Sequence, residues 1–328
     1  MRILGIETSC DETAAAVVEN GTKILSNVVA SSVALHQKTG GIIPEVAARE
    51  QLKCIIPVIE EAIDKQKIDA IAVTIGPGLI GSLLIGVETA KTLAYVWQKP
   101  LLPVNHLQAH LYANWLEGKK PQFPALGLVI SGGHTDLVLL KDHGKIKWLG
   151  GTRDDAAGEC LDKTARVIGL PYPGGPAIAK LAAKGNSQTY NLPRPMMNQD
   201  NLDFSFSGLK TAVINLKRKE KRIEKADIAA GIQQAIAEVV VAKVIKAMKK
   251  HKVKSVLLAG GVAANQVLRQ QIETQIDKNF PLFVPSPKLC TDNAAYIASC
   301  AFFNYQPVPW RKITADPGLN IETDVHYA

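Results

Sequence analysis

The sequence predicts an α/β protein built from two similar subdomains. Each half opens with two apolar segments joined by a polar turn: Ile3 to Thr8 with Thr13 to Val18, and Ala125 to Ile130 with Thr135 to Leu140. Each half continues with an apolar segment, a glycine turn and a helical pattern, and each closes with another strand-to-helix unit. Short apolar segments ended by turn residues are typical of buried strands, so both halves are predicted to begin with a hairpin and to end in strand-turn-helix units.

The strand-glycine-helix units follow the hairpins. In the first half a strand over 70–75 precedes Gly76-Pro-Gly78 and a helix over 83–96, and in the second half a strand over 254–259 precedes Gly260-Gly261 and a helix over 263–272. Backbone without side chains can approach a phosphate closely, and the amide groups of such turns favour anions. We therefore expect two facing subdomains with glycine turns from both along a shared cleft.

The last unit of each half carries residues that bind metals. A strand over 101–105 runs into a helix that opens His106-Leu-Gln-Ala-His110, and a strand over 281–284 is followed by a helix predicted to begin Thr291-Asp292-Asn293. Histidines four apart share a helix face, and a carboxylate such as Asp292 would complete a ligand set with open positions. The alternative is that the two histidines share a face without any ion.

Composition favours a globular protein of the cytoplasm. The chain has 328 residues, 47% of them apolar and 21% charged. No stretch approaches the roughly 18 apolar residues of a membrane span, and Met1 leads into a strand instead of a signal peptide. The five cysteines are widely spaced, which argues against a disulfide framework and a thiolate zinc site. Cys10 lies in a turn but has no histidine near it in sequence, so we do not expect a nucleophile there.

Net charge indicates an anionic partner. The formal charge is +8, and lysines and arginines concentrate in two stretches, Lys217 to Arg222 and Lys246 to Lys254. RNA and acidic protein are both candidates. Because aromatic residues make up only 5% of the chain, base stacking has little support and a solvated lysine-rich helix face remains an alternative.

Eight motifs in series resemble one known family. They are Ile6-Glu-Thr-Ser-Cys-Asp-Glu-Thr13, His106-Leu-Gln-Ala-His110, Ser131-Gly-Gly-His-Thr135, Asp154-Asp-Ala-Ala-Gly-Glu159 with Asp162-Lys163, Tyr172-Pro-Gly-Gly-Pro176, Asp203-Phe-Ser-Phe-Ser-Gly208, Gly260-Gly-Val-Ala-Ala-Asn265 and Thr291-Asp-Asn-Ala294. The chain resembles the bacterial tRNA N6-adenosine threonylcarbamoyltransferases, the TsaD family, formerly labelled O-sialoglycoprotein endopeptidases. The resemblance extends over residues 1 to 311. It leaves the tail from Lys312 unmatched, and we expect this tail, with His326, to lie outside the site.

The resemblance implies a fold and a reaction. The fold is that of actin, sugar kinases and Hsp70-type ATPases, with two ribonuclease H-like subdomains formed by residues 1–122 with 294–328 and by residues 123–293. The reaction transfers the threonylcarbamoyl group of threonylcarbamoyl-adenylate to N6 of adenosine 37 in tRNAs that read codons beginning with A, and AMP is released. Its partners are a paralogous inactive subunit and a small P-loop ATPase, with no membrane involved.

The resemblance also assigns residues. Its metal ligands correspond to His106, His110 and Asp292, and its metal is iron, with zinc as the alternative. Contacts to the substrate and its adenine nucleotide correspond to a second set: Ser131, Gly132, Gly133, His134, Thr135, Asp162, Gly175 and Asn265. By position in the first hairpin turn, Asp11 and Glu12 are candidates for accepting a proton from the attacking amine.

The sequence leaves several alternatives open. Asp11 and His134 could stabilise their turns, and Asp154 and Asp155 could cap a helix. The motif Asp203 to Gly208 could contact substrate or fill the core. A zinc peptidase of the His-Glu-x-x-His type is excluded because Leu107 stands where its glutamate would be. A small-molecule kinase would use acidic magnesium ligands instead of histidines, and a nucleotide-gated scaffold would have no need of the ligand set.

Overall fold

The computed structural model describes residues 1–220 and 222–325. Lys221, in the first basic stretch, and His326, whose position was predicted above, lie outside the described residues. The chain forms two compact units: unit 1 comprises Met1–Pro121, Asp142–Ile146 and Pro285–Ala328, and unit 2 comprises Gln122–Lys141 and Lys147–Val284.

The strands and helices are numbered in chain order. The strands are β1 (Arg2–Glu7), β2 (Glu12–Glu19), β3 (Lys23–Ser31), β4 (Ala70–Gly76), β5 (Leu101–Asn105), β6 (Ala125–Ile130), β7 (Thr135–Asp142), β8 (Lys145–Gly151), β9 (Ser255–Ala259) and β10 (Leu282–Phe283). The helices are α1 (Val33–Thr39), α2 (Pro44–Ile63), α3 (Ile80–Trp97), α4 (His106–Tyr112), α5 (Ala157–Val167), α6 (Gly174–Ala182), α7 (Ser207–Lys219), α8 (Lys225–His251), α9 (Gln266–Gln275), α10 (Pro287–Cys290) and α11 (Ala295–Phe303). Short 3-10 segments cover Ala113–Gly118, Gly261–Ala264 and Trp310–Lys312.

The two sheets have the same strand order. In unit 1 the order is β3-β2-β1-β4-β5, and the second sheet runs β8-β7-β6-β9-β10. Within the first sheet β1 pairs antiparallel with β2 and parallel with β4, and within the second β6 pairs antiparallel with β7 and parallel with β9. The predicted duplication is therefore confirmed. The third strand of each sheet, β3 or β8, had not been predicted.

The central strands explain why the sequence pattern was readable. All seven residues of β4 and all five of β9 are buried, as expected for parallel strands covered on both faces. Helices α2 and α3 pack on each other in unit 1.

Among the described residues, only α8 is long and apolar enough to cross a membrane. Of its most apolar 18-residue stretch, 78% is buried inside the protein, as expected for a core helix.

Two predicted helices begin later than the sequence pattern indicated. The helix after Gly261 begins at Gln266, because the Asn265 side chain accepts a hydrogen bond from the Leu268 amide and so caps α9. The helix expected at Thr291 begins at Ala295, because the Asn293 side chain accepts from the Ala295 amide and donates to the Thr291 carbonyl. Asx turns of this kind compete with the first helical turn.

Candidate active site

Helix α4 presents two histidines on one buried face. The Asn105 side chain ends β5 and begins the helix by accepting hydrogen bonds from the amides of Leu107 and Gln108. His106 is 8% exposed and His110 is 1% exposed. Their spacing of four residues brings the two Nε2 atoms to 3.1 Å. The interpretation of the motif as one face of a helix is confirmed.

Asp292 completes a cluster of three donor atoms. Its Oδ1 lies 3.7 Å from His106 Nε2 and 3.5 Å from His110 Nε2, and the three ligand atoms all lie within 4.8 Å of one another. Metal bonds of about 2.0–2.2 Å to imidazole nitrogen and carboxylate oxygen place neighbouring ligand atoms about 3.0–3.5 Å apart. The residues present therefore fit a single divalent ion with positions left open.

The acid comes from the connection between α10 and α11. This connection belongs to Pro285–Ala328, which is part of unit 1 together with α4. All three ligand atoms therefore come from one compact unit, whereas Asp292 was predicted to belong to the other subdomain, residues 123–293. The return of the chain to the first sheet after β10 explains the difference, and no local pattern in the sequence marks that return.

Two supporting residues were missed by the sequence analysis. Glu7, at the end of β1, lies with its Oε2 2.8 Å from His106 Nδ1 and is fully buried. Tyr296, in α11, is also buried, and its hydroxyl donates to Asp292 Oδ1 at 3.3 Å. The signals for Glu7 in the sequence are its place in the Ile6–Thr13 motif and a charged residue that directly follows the apolar segment Ile3 to Ile6.

Burial and charge set the ionisation of the cluster. Burial disfavours a charged imidazole, but the negative charges of Glu7 and Asp292 and the hydrogen bond to Glu7 outweigh it and raise the pKa of His106 to about 9. Burial by itself would raise the pKa of Glu7. The charge of His106 and the hydrogen bonds to the Glu7 carboxylate outweigh burial and hold the pKa of Glu7 below its ordinary value. Burial raises the pKa of Asp292 to about 6, against the charge of His106. A cation that binds here at neutral pH displaces a proton from His106.

The first hairpin turn contributes carboxyl groups beside the cluster. Asp11 is 7% exposed and lines a cavity of about 100 Å³ with Ser32 and Gln51. Burial, with the charges of Asp292 and Asp11, raises the pKa of Glu12 to about 10. Burial and the same acidic neighbours raise the pKa of the Cys10 thiol, so the thiolate is disfavoured, in agreement with the expectation that Cys10 is no nucleophile.

Unit 2 carries the predicted Ser131 turn. The Ser131 hydroxyl accepts from the His134 amide, and the Ser131 amide donates to the His134 carbonyl. A Cβ placed on Gly132 or Gly133 would meet no atom within 4 Å, and the same holds for Gly261 at the end of the neighbouring strand β9. Neither crowding nor a left-handed backbone requires glycine at these three positions.

Three residues predicted to bind substrate serve as helix caps in unit 2. The Thr135 hydroxyl accepts from the Ala157 amide at the start of α5. Asp162 accepts from the Gly174 amide at the start of α6, at 2.7 Å. Asn265 caps α9 and also donates to Gln233. Gly175 lies beside the Asp162 cap, with open space around it except for Leu161. Substrate contacts by these side chains stay predictions.

Asp154 caps a helix, but not the one that follows it in sequence. Its carboxylate accepts from the amides of Phe206 and Ser207 and from the hydroxyls of Ser205 and Ser207 at the start of α7. The neighbouring Asp155 instead forms ion pairs with Lys163 and Lys210. Phe204 and Phe206 are fully buried, so the aromatic part of the Asp203–Gly208 motif fills the core.

The tail beyond Lys312 is hydrogen-bonded to helix α4, which carries the two histidines. The Asn105 side chain donates to the Asn320 carbonyl at 2.8 Å. Gln108, which lies between the two histidines in α4, donates to the carbonyls of Ile321 and Thr323. Although the tail contributes no ligand among its described residues, it fixes the helix that carries two of them.

Comparison with solved structures identifies the fold class. The structure of full-length HypF in its phosphate- and nucleotide-bound form matches 94% of this chain and 47% of its own length, with a TM-score of 0.62 at 12% sequence identity. Component A of the (R)-2-hydroxyglutaryl-CoA dehydratase of Acidaminococcus fermentans matches 95% of this chain and 99% of its own, with a TM-score of 0.55 at 18% identity. The molecule thus has the actin-like ATPase fold.

Sequence comparison then gives the family. The family model described as "TsaD: tRNA N6-adenosine threonylcarbamoyltransferase" matches residues 23–299. The threonylcarbamoyltransferase of Moorella thermoacetica is 50% identical over 313 residues, which is 92% of each chain. That of Bacillus cereus is 51% identical over 333 residues, covering 98% of this chain and 96% of the relative. The chain belongs to the TsaD family of tRNA N6-adenosine threonylcarbamoyltransferases, and the kinase and scaffold alternatives are set aside.

Proposed function

We propose that this threonylcarbamoyltransferase holds one divalent metal ion on His106, His110 and Asp292 and uses it to position the acyl donor. The observation that carries the proposal is the convergence of two Nε2 atoms and one carboxylate oxygen within 4.8 Å. Two imidazoles and one carboxylate suit iron and zinc alike. Iron is our preferred ion and zinc is the alternative.

The chemistry needs an anchored donor because the nucleophile is weak. An exocyclic adenine amine reacts slowly unless the acyl carbon is activated and aligned with it. The bound ion would supply open coordination sites that hold and polarise the threonylcarbamoyl oxygens. The chain itself fixes the ligands: Asn105 caps α4, and Tyr296 holds the Asp292 carboxylate. The amine of adenosine 37 attacks the carbamoyl carbon, and AMP leaves with the bonding electrons.

The glycine turns of unit 2 are proposed to bind the adenylate. Gly132, Gly133 and Gly261 leave open space beside the backbone at the ends of β6 and β9, and no feature of the fold demands glycine there. Close approach of a phosphate to the backbone would require glycine at these positions. Ser131, His134, Thr135, Asp162, Gly175 and Asn265 complete the proposed binding set, in which the three caps keep the surrounding helix starts in place.

Asp11 and Glu12 remain the proposed acceptors for the amine proton. The Glu12 carboxyl is hydrogen-bonded to Asp11, and its raised pKa means that it holds a proton at neutral pH. A bound cation would favour ionisation of the Glu12 carboxyl and so make it available as an acceptor.

tRNA is proposed to bind the basic residues of unit 2. Arg218 and Arg222 are exposed, and Lys217 is exposed although its ammonium also lies against the Val167 carbonyl. Replacing all three with alanine should lower the slope of log affinity against log salt by about 2–3, since each phosphate contact contributes about 0.7–0.9. Replacing Arg49, Lys53 and Lys91, which pair with glutamates of their own helices α2 and α3, is the matched control. An unchanged slope in the first variant would place tRNA elsewhere.

The protein partners are proposed to bind the apolar outer face of α2 and α3. Leu52 and Ile56 on α2 are 68% and 49% exposed, and Ile80 and Leu84 on α3 are 48% and 45% exposed. Residues four apart form a stripe on each helix, and exposed apolar patches mark interaction surfaces. The paralogous subunit is the proposed occupant, with the small P-loop ATPase joining the same complex. Action on tRNA agrees with a cytoplasmic location.

One assay tests the metal function directly. The chain is combined with its partners, threonine, bicarbonate, ATP and unmodified tRNA, and the tRNA nucleosides are analysed for threonylcarbamoyladenosine. His110→Ala should abolish the product while circular dichroism and the melting temperature show a folded protein, and His251→Ala, in unit 2, should not. Full activity of His110→Ala would show that a metal held by His110 has no role in the reaction.

A further inference from the structure

In addition to the three proposed ligands, one buried carboxylate contacts a histidine of the set on the side of the ring away from Asp292. Glu7 Oε2 lies 2.8 Å from Nδ1 of His106, the ring nitrogen that faces away from Asp292. Glu7 is completely buried. A histidine can bind a metal through Nε2 only if its proton is on Nδ1, so the group that accepts from Nδ1 decides which nitrogen is free.

Three neighbouring strands hold this carboxylate in place. Glu7 ends β1, and its carboxylate accepts from the Thr74 hydroxyl of β4 at 2.7 Å and from the amide of Ser9. Strand β4 lies between β1 and β5, and His106 follows β5 directly. The carboxylate thus reaches across the end of β4 to the imidazole, and its position is fixed on both sides.

We infer that Glu7 is a positioning residue of the metal centre: its carboxylate orients His106 and fixes the Nδ1–H form, so that Nε2 is presented to a divalent cation. This inference rests on the proposed metal function. It adds a second negative charge close to the ion, which together with Asp292 balances the charge of a divalent cation. A carboxylate that accepts a hydrogen bond from a ligating histidine fixes the orientation of the imidazole ring and raises its basicity.

A purely structural role for Glu7 is the alternative. The hydrogen bonds from Ser9 and Thr74 would then stabilise the first turn and the edge of the sheet, and loss of the carboxylate would lower only the melting temperature. Metal affinity and the ligand field at the ion distinguish the two roles, because a turn-stabilising residue changes neither.

The test uses cobalt as the probe on the full-length, metal-free chain. Co²⁺ is titrated into wild type, Glu7→Gln and Thr74→Val, and the visible absorption gives both the dissociation constant and the band positions. Glu7→Gln should weaken Co²⁺ binding about 10–100-fold, the usual cost of losing such a partner, and should shift the bands. Thr74→Val is the matched control: it removes one hydrogen bond from the same carboxylate but leaves the contact with His106, so the affinity should change only a few-fold.

The outcomes are separable. If wild type binds one equivalent of Co²⁺ and Glu7→Gln binds it equally well with unchanged bands, the inference is overturned while the metal site stands. If wild type binds no Co²⁺, the proposed metal function itself fails. Should Glu7→Gln not fold, Glu7→Asp retains the charge but withdraws it from His106, and the same loss of affinity and band shift are expected; unchanged binding there would count equally against the inference.

Discussion

The carboxyl ends of the two sheets share one topology and differ in chemistry. In unit 1 the ends of β1, β4 and β5 are filled by buried polar side chains, Glu7, Thr74 and His106. In unit 2 the corresponding ends of β6 and β9 carry Gly132, Gly133 and Gly261, with open space beside them. A duplicated fold therefore offers polar side chains at the carboxyl end of one sheet and bare backbone at the carboxyl end of the other. Side chains of this kind suit a cation, and bare backbone suits a phosphate.

Removing the acid from unit 1 should have the largest effect. Asp292→Asn keeps the shape but removes the charge that faces both imidazoles at 3.5 and 3.7 Å. Because loss of a supporting residue alone costs about 10–100-fold in metal affinity, loss of the charged ligand should cost more than about 100-fold. Isothermal titration with Zn²⁺ measures it. Asp316→Asn, in unit 1, is the control, since Asn can still accept from the Gly318 amide there. Equal affinity in the two variants would show that the cluster is not the site.

Glycines at the two edges should respond in opposite ways to an added methyl group. A Cβ on Gly78, two residues after the end of β4, would lie 2.5 Å from the Ser9 carbonyl oxygen, whereas one on Gly261 would meet no atom within 4 Å. Gly78→Ala should therefore destabilise the protein by about 1–3 kcal/mol, and Gly261→Ala should leave the melting temperature unchanged.

Nucleotide binding completes that comparison. Gly261→Ala places its methyl group in the space proposed for the adenylate, so AMP should bind about tenfold more weakly, by roughly 1.4 kcal/mol. Gly81→Ala, where the added atom would be 3.4 Å from Ala48 Cβ, is the control for a neutral glycine replacement. If Gly261→Ala binds AMP as tightly as Gly81→Ala does, the open edge of unit 2 does not hold the phosphate.

The sequence predicted what depends on local pattern. Two histidines four apart identify one helix face, and Asn105 before them is a typical cap, so the pair in α4 was predictable with its geometry. The duplicated series of elements was also predictable, because hairpins and strand-glycine-helix units repeat in each half. Strands β3 and β8 were missed because their apolar residues alternate weakly with polar ones, as in Lys23–Ser31, where no residue is fully buried.

What the sequence did not predict depends on contacts between distant segments. Glu7 contacts Thr74 and His106 only because β1, β4 and β5 are neighbours in the sheet. Thr135 and Asp162 have the composition of substrate contacts, yet each caps a helix whose amide lies 12 or more positions away. The partner of a polar side chain is set by tertiary packing, which a linear pattern does not encode.

The smallest effect is expected where the tail of unit 1 contacts α4 without supplying a ligand. Gln108→Ala leaves the carbonyls of Ile321 and Thr323 without their donor, which should cost about 1–2 kcal/mol and lower the melting temperature by a few degrees. The substitution removes the contact of α4 with the tail at Gln108, a position between the two histidines in sequence. Zn²⁺ affinity should therefore fall by a few-fold and not more. Gln98→Ala, which removes a donor from the Tyr95 carbonyl on an exposed helix end, should change neither quantity. A Gln108→Ala protein with wild-type stability and affinity would show that the tail covers α4 without positioning it.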